Sequence, residues 1–294
     1  MADQPEIFFV ASSGGAATKW LSNILSSVSE DVLCYHGADI RALSETPLKS
    51  GTDEDQKRIV KFQLDLAKRK NKVIGTVHAV YDDAARALCL DAGGRSAALI
   101  RDPFDRAISL SRTVIMANDG EHAMFTRSSD SPMAQTVYSI IGNLYQTHGL
   151  TTQDNRILAS QFDYLLRLIS IMANDIKNMN GFTREEIFRF EDYTTSDDVV
   201  RTLARLVLPE RFHASAEKIN PSDHAIQHNR AALISSSTVV AKLNQDFDFV
   251  TGSYEVVSGH LKERLGLDIE GLYLGYDYDL RASIDRVLSR GMKA

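Results

Sequence analysis

The first residues with chemical promise lie near the amino terminus. Ser12-Ser13-Gly14-Gly15-Ala16-Ala17-Thr18 separates an apolar run, Ile7–Ala11, from a helical pattern beginning near Lys19–Trp20. A strand, a turn of small residues and a helix in that order let consecutive backbone N–H groups curl towards one point. That point lies at the positive end of the helix dipole and suits a phosphate or a sulfate. Gly14 and Gly15 permit positive φ, and Ala16 and Ala17 leave the approach to an anion open. Lys19 points the same way, because a cation in the first turn of a helix is disfavoured by about 0.3–1 kcal/mol unless an anion lies nearby. Taken alone, the loop is equally well explained as a tight turn with an exposed lysine. It departs from Gly-x-x-x-x-Gly-Lys-[Ser/Thr], since Thr18 precedes Lys19 and Trp20 follows it, so an ordinary ATPase or GTPase fits poorly.

The elements that must position this loop are short apolar runs alternating with helix-period segments. The runs are Ile7–Ala11, Val32–His36, Val73–Val77, Ala97–Arg101 and Ile187–Phe190. Their continuous apolar character suits strands buried on both faces. The fold class expected is therefore three-layer α/β: a central, mostly parallel sheet of about five strands flanked by helices, with a largely helical C-terminal third. Helical spacing recurs at Trp20, Leu21, Ile24, Leu25 and Val28, and at Ile59, Phe62 and Leu66. It predicts a long amphipathic helix from Arg156 to Met179 and another over Ser196–Leu208, capped by Ser196 or Thr195. Ala117–Met133 has little periodicity and many turn formers, and reads as a surface loop or a lid over a substrate.

Composition narrows the classes of partner. The chain has 294 residues, 44% hydrophobic and 24% charged, which is ordinary for a globular protein and is read as a single domain over 1–294. Its formal net charge of −6, with scattered basic residues, argues against a nucleic-acid polymer as partner. An anionic cofactor needs only a local group of N–H donors and one or two arginines. Cys34 and Cys89 belong to no metal or redox spacing and read as buried, reduced thiols. No ligand cluster for a metal stands out. No membrane span and no signal peptide is legible, and a cytoplasmic location is expected. The oligomeric state is not legible.

Three segments resemble the sulfotransferases that use 3′-phosphoadenosine 5′-phosphosulfate (PAPS). Trp20–Leu25 resembles the helix after that family's 5′-phosphosulfate loop, usually Pro-Lys-Ser-Gly-Thr-Thr-Trp. Ala98-Leu-Ile-Arg-Asp-Pro-Phe-Asp-Arg-Ala-Ile-Ser109 is similar to its strand-to-helix segment, whose arginine and serine, eight positions apart, bind the 3′-phosphate; Arg101 and Ser109 match these. Such an arginine offers a forked donor to a phosphate. Its structural alternative is an ion pair with Asp102 or Asp105. Phe188–Tyr193 resembles the family's Tyr-Glu-Asp segment and marks architecture more than chemistry. The resemblance runs from about Glu6 to Leu208.

The resemblance implies PAPS as cofactor, with 3′-phosphoadenosine 5′-phosphate (PAP) as product, and a small-molecule or carbohydrate hydroxyl as acceptor. It places Ser13, Gly14, Gly15, Ala16, Ala17, Thr18, Lys19 and Trp20 at the 5′-phosphosulfate. Gly75–Ala79 falls where many members carry Lys-Thr-His, which makes His78 the general base. The family's loop lysine aligns with Gly15, so Lys19, one turn further on, is the remaining cation for catalysis. The nearest counterpart of the late segment that closes over the 3′-phosphate is His228-Asn-Arg230. Two other readings stay open: a noncatalytic adenosine-nucleotide-binding protein with the same fold, and a nucleoside-triphosphate enzyme sharing the strand–loop–helix start.

Overall fold

The computed structural model describes residues 6–12, 15–44, 53–79, 83–117, 132–149, 159–224, 235–244 and 247–291. In chain order the elements begin β1 (Ile7–Ala11), α1 (Thr18–Ser27), β2 (Val32–His36), α2 (Gly37–Ala42), α3 (Asp53–Lys70), β3 (Val73–Ala79), α4 (Asp83–Asp91) and β4 (Arg95–Ile100). They continue with α5 (Pro103–Ala117), α6 (Pro132–Thr147), α7 (Ala159–Gly181), β5 (Ile187–Arg189), α8 (Phe190–Tyr193), α9 (Asp197–Val207) and α10 (His213–Ala216). The rest is helical: α11 (Ser236–Leu243), α12 (Phe249–Leu265), α13 (Ile269–Leu274) and α14 (Leu280–Gly291). Two compact units are formed, one from Met1–Arg101 with Ala173–Gln227 and the other from Asp102–Met172 with His228–Ala294.

The first unit holds the sheet. Its five strands are all parallel, in the order β2-β3-β1-β4-β5. The central strand, β1, is buried along its whole length, which is why it reads as an unbroken apolar run. Trp20, Leu21, Ile24 and Leu25 of α1 and Val200, Leu203 and Val207 of α9 pack on one face, against Phe8, Val10, Val32, Val77 and Leu99. On the other side α3 and α4 pack together. There Gln63 of α3 donates to Phe8 O at 3.3 Å and to Thr76 Oγ1 at 3.2 Å, satisfying its buried amide.

The strand order singles out one edge of the sheet. The connection after β1 runs through α1 on one face, while that after the neighbouring β3 runs through α4 on the other. Adjacent strands whose connections part in this way open a crevice at their carboxyl ends, where ligands of open α/β sheets bind. The register between β1 and β3 steps at the same edge, from Val10↔Val77 to Ala11↔Ala79, so that His78 is passed over. A step of this kind bends a strand locally.

The second unit is helical. Asp102, buried at its heart, accepts from the amides of Phe104 and Asp105, both at 3.0 Å, and so caps α5. Its other oxygen accepts from Ser283 and, at 2.6 Å, from Arg286, both on α14. Asp105 pairs with Arg290 of the same helix. The carboxylates beside Arg101 in sequence thus have partners in α14. Among the described residues no helix is long and apolar enough to cross a membrane.

Candidate functional site

The loop after β1 leads into α1 through backbone conformations that side chains rarely choose. Gly15 has φ 67°, and Ala17, at the cap position of α1, has φ 49° and ψ 31°. A left-handed alanine costs about 1–2 kcal/mol relative to an ordinary conformation. The first amides of a helix have no partners within the helix, and a cap or an acidic side chain normally supplies them. Ala17 makes no side-chain cap, and the first turn of α1 holds no acidic residue. Thr18 and Trp20, on that turn, are buried. This amino terminus carries the positive end of its helix dipole, and backbone donors at such an end are of the kind that can serve an anion.

The loop's carbonyls are tied elsewhere. Arg101, one residue beyond β4, donates from Nη1 to Gly15 O at 2.6 Å. Its guanidinium lies over the ring of Phe190, 4.2 Å from the centroid. The Tyr193 hydroxyl donates to Ala16 O. Tyr193 is buried, stacks on Trp20 with centroids 6.2 Å apart, and meets Phe190 edge-on at 5.8 Å. Trp20 in turn donates its indole N–H to His224 O at 2.6 Å. The carbonyls of Gly15 and Ala16 are thus drawn to Arg101 and Tyr193, and the ring of Phe190 lies against both of these side chains.

Seven of the residues expected at the site are described around one loop. Gly15, Ala16, Ala17, Thr18, Lys19, Trp20 and Arg101 come together around this loop, Lys19 exposed and Trp20 buried. The backbone of His78 lies at the carboxyl end of β3, while its side chain is outside the described residues, as are Ser13, Gly14 and Arg230. Ser109 belongs to the second unit, half-buried on α5. Of the segment read as a loop or lid, Ala117 ends α5 and Pro132 and Met133 begin α6; the residues between lie outside the described ones.

Two features escape a sequence reading. One is the role of Phe190 and Tyr193 as supports of the loop; the only signal is a pair of aromatics just after the last strand. The other is His36, half-buried at the carboxyl end of β2. Burial lowers its pKa from the usual histidine value, and the charges of Lys19 and Arg41 act in the same direction, against an opposing effect of Asp39. The signal available was its place as last residue of an apolar run.

The fold defines an α/β protein with an all-parallel five-stranded sheet and a strand–loop–helix start at its carboxyl edge. No protein-family model matches the chain, and no curated protein is similar enough to match it.

Proposed function

We propose that this protein binds an adenosine nucleotide carrying a 3′-phosphate and transfers the sulfuryl group of PAPS to a hydroxyl of a small-molecule or carbohydrate acceptor. The observation that carries the reading is the start of α1, where left-handed Ala17 provides no side-chain cap and Arg101, just beyond the neighbouring strand β4, is fastened to the same loop through Gly15 O. The loop's amides and Lys19 would hold the 5′-phosphosulfate. Arg101 would serve the 3′-phosphate, as the resemblance to PAPS-dependent sulfotransferases implies. The acceptor oxygen attacks sulfur, the bond from sulfur to the 5′-phosphate oxygen breaks, PAP leaves, and the acceptor's proton passes to His78. Catalysis of this kind rests on positioning and charge stabilisation, as in phosphoryl transfer. The step in register at His78 supports a specialised edge there.

One observation favours a noncatalytic nucleotide-binding protein instead. Gly15, where the family's loop lysine aligns, has φ 67°, a conformation in which a lysine would be strained. The test has two stages. Calorimetric titration with PAP, ADP and ATP is expected to show binding that requires the 3′-phosphate; equal affinity for ADP would refute the cofactor. PAPS consumption with a panel of hydroxyl acceptors then separates the transferase from the noncatalytic protein.

A further inference from the structure

Gly252 and Gly259 lie on one face of α12, two helical turns apart, and meet different surroundings. A Cβ on Gly252 would come within 3.1 Å of Leu144 Cδ2 and 3.4 Å of His148 Nε2, so glycine there lets α12 lie close against the end of α6. A Cβ on Gly259 would meet nothing within 4 Å. Glycine inside a helix costs about 1 kcal/mol relative to alanine, and at Gly259 no neighbouring atom requires it. Beyond the Gly252 contact the two helices enclose a groove of about 710 Å³, lined among the described residues by α6 and α12 alone. A groove of this volume is ordinary for a small-molecule site. Ile140 and Val256 give it apolar surface, and Gly259 lines it, so the missing side chain is part of its space.

The rim of the groove is polar and uncommitted. Among the described residues, the side chains of Gln135, Ser139 and Asn143 on α6 and of His260, Glu263 and Arg264 on α12 make no hydrogen bond or ion pair. Outside the groove the same helix behaves otherwise, since Glu255 pairs with Arg281 at 3.7 Å. The amides of Gln135 and Asn143 and the hydroxyl of Ser139 both donate and accept, Arg264 donates, and the Glu263 carboxylate accepts. Glu263 and Arg264 are adjacent and opposite in sign, so they give the groove no excess of charge to select an ion. We propose that this groove binds a neutral carbohydrate. Hydroxyls around a sugar ring also donate and accept in turn, which matches a rim of both kinds, and two adjacent hydroxyls suit one carboxylate. The C–H face of the ring matches the apolar surface of Ile140 and Val256, and Gly259 leaves it room. The groove lies wholly within the helical unit and makes no use of the loop after β1, so the inference stands apart from the nucleotide reading.

The probes are glucose, galactose, mannose, N-acetylglucosamine, maltose, cellobiose and lactose, with glucuronate and inorganic phosphate as charged controls, each titrated into the full chain. At least one neutral sugar is expected to bind by calorimetry and to shift the side-chain amide resonances of Gln135 and Asn143. Gly259→Leu fills the groove with a good helix former, and should weaken binding about ten-fold or more without lowering thermal stability. Asn143→Ala and Glu263→Gln should each weaken it about three- to ten-fold, the size of one hydrogen bond. Glu255→Gln, outside the groove, should leave it unchanged. No binding by any neutral sugar of the panel, binding that leaves both amide resonances unmoved, or full affinity in Gly259→Leu overturns the proposal, as does binding confined to glucuronate or phosphate. If Gly259→Leu fails to fold, the two polar variants decide: affinity kept in both overturns it. PAP should bind the groove variants and the wild type alike. A sugar bound where PAP is not removes the nucleotide reading alone, and PAP bound where no sugar is removes this proposal alone.

Discussion

Replacing Arg101 by methionine should weaken the protein before any ligand is added. The side chain makes a charge-assisted hydrogen bond to Gly15 O at 2.6 Å and a cation–π contact with Phe190 at 4.2 Å. A hydrogen bond from a charged donor contributes about 1.5–3 kcal/mol, and a cation–π contact of a half-buried arginine about 0.5–1 kcal/mol. Methionine keeps part of the contact with the ring but leaves the carbonyl without this donor, so a loss of about 1.5–3 kcal/mol follows. Trp20 is the single tryptophan and lies on the helix that this loop begins, so urea unfolding followed by its emission reports on the affected region. The midpoint should fall with the slope unchanged. The same variant should lose affinity for PAP. A variant as stable as the wild type, within about 0.5 kcal/mol, would refute the reading of Arg101 as a loop anchor. Loss of PAP affinity without loss of stability would assign it to ligand alone.

Tyr193→Phe removes the hydroxyl that serves Ala16 O while keeping the stack on Trp20, and should cost about 1–2 kcal/mol in the same assay. Gly75→Ala should destabilise more than an ordinary overpacked core site, by at least about 3 kcal/mol. An added Cβ would sit 2.0 Å from Phe8 Cζ, whose residue is the register partner of Gly75 on β1; thermal unfolding checks it. Both thiols should resist alkylation at pH 8 in the native protein and react after denaturation. Burial pushes Cys89 up to about 12 and raises Cys34 further, so neither forms the reactive thiolate at that pH. Mass spectrometry before and after unfolding reads the outcome.

Much of the fold was legible because it is locally encoded. All five expected runs are strands, and Val32–His36 matches its strand to the residue. Ends moved where side chains stop deciding them: β3 continues to Ala79, and β4 ends at Ile100, which releases Arg101 from the ladder and lets it reach the loop. The helix expected over Ser196–Leu208 spans Asp197–Val207 with Ser196 at the cap position, yet its hydroxyl makes no capping bond. The long helix expected over Arg156–Met179 is described from Ala159 and extends to Gly181. Pro132–Thr147 forms a helix whose start is masked in the sequence by the turn formers that precede it.

By itself the sequence determined the alternation of buried strands and amphipathic helices, and it placed a turn of small residues ahead of α1. These follow from periodicity and residue size, which act over a few positions. Only the tertiary structure decided the strand order, and with it the edge at which the loops after β1, β3 and β4 end. It alone joined Arg101 to Gly15, 86 positions away, and Tyr193 to Ala16, 177 positions away. Contacts between residues so far apart depend on how elements pack around a shared core, and no local pattern of residue types encodes that choice.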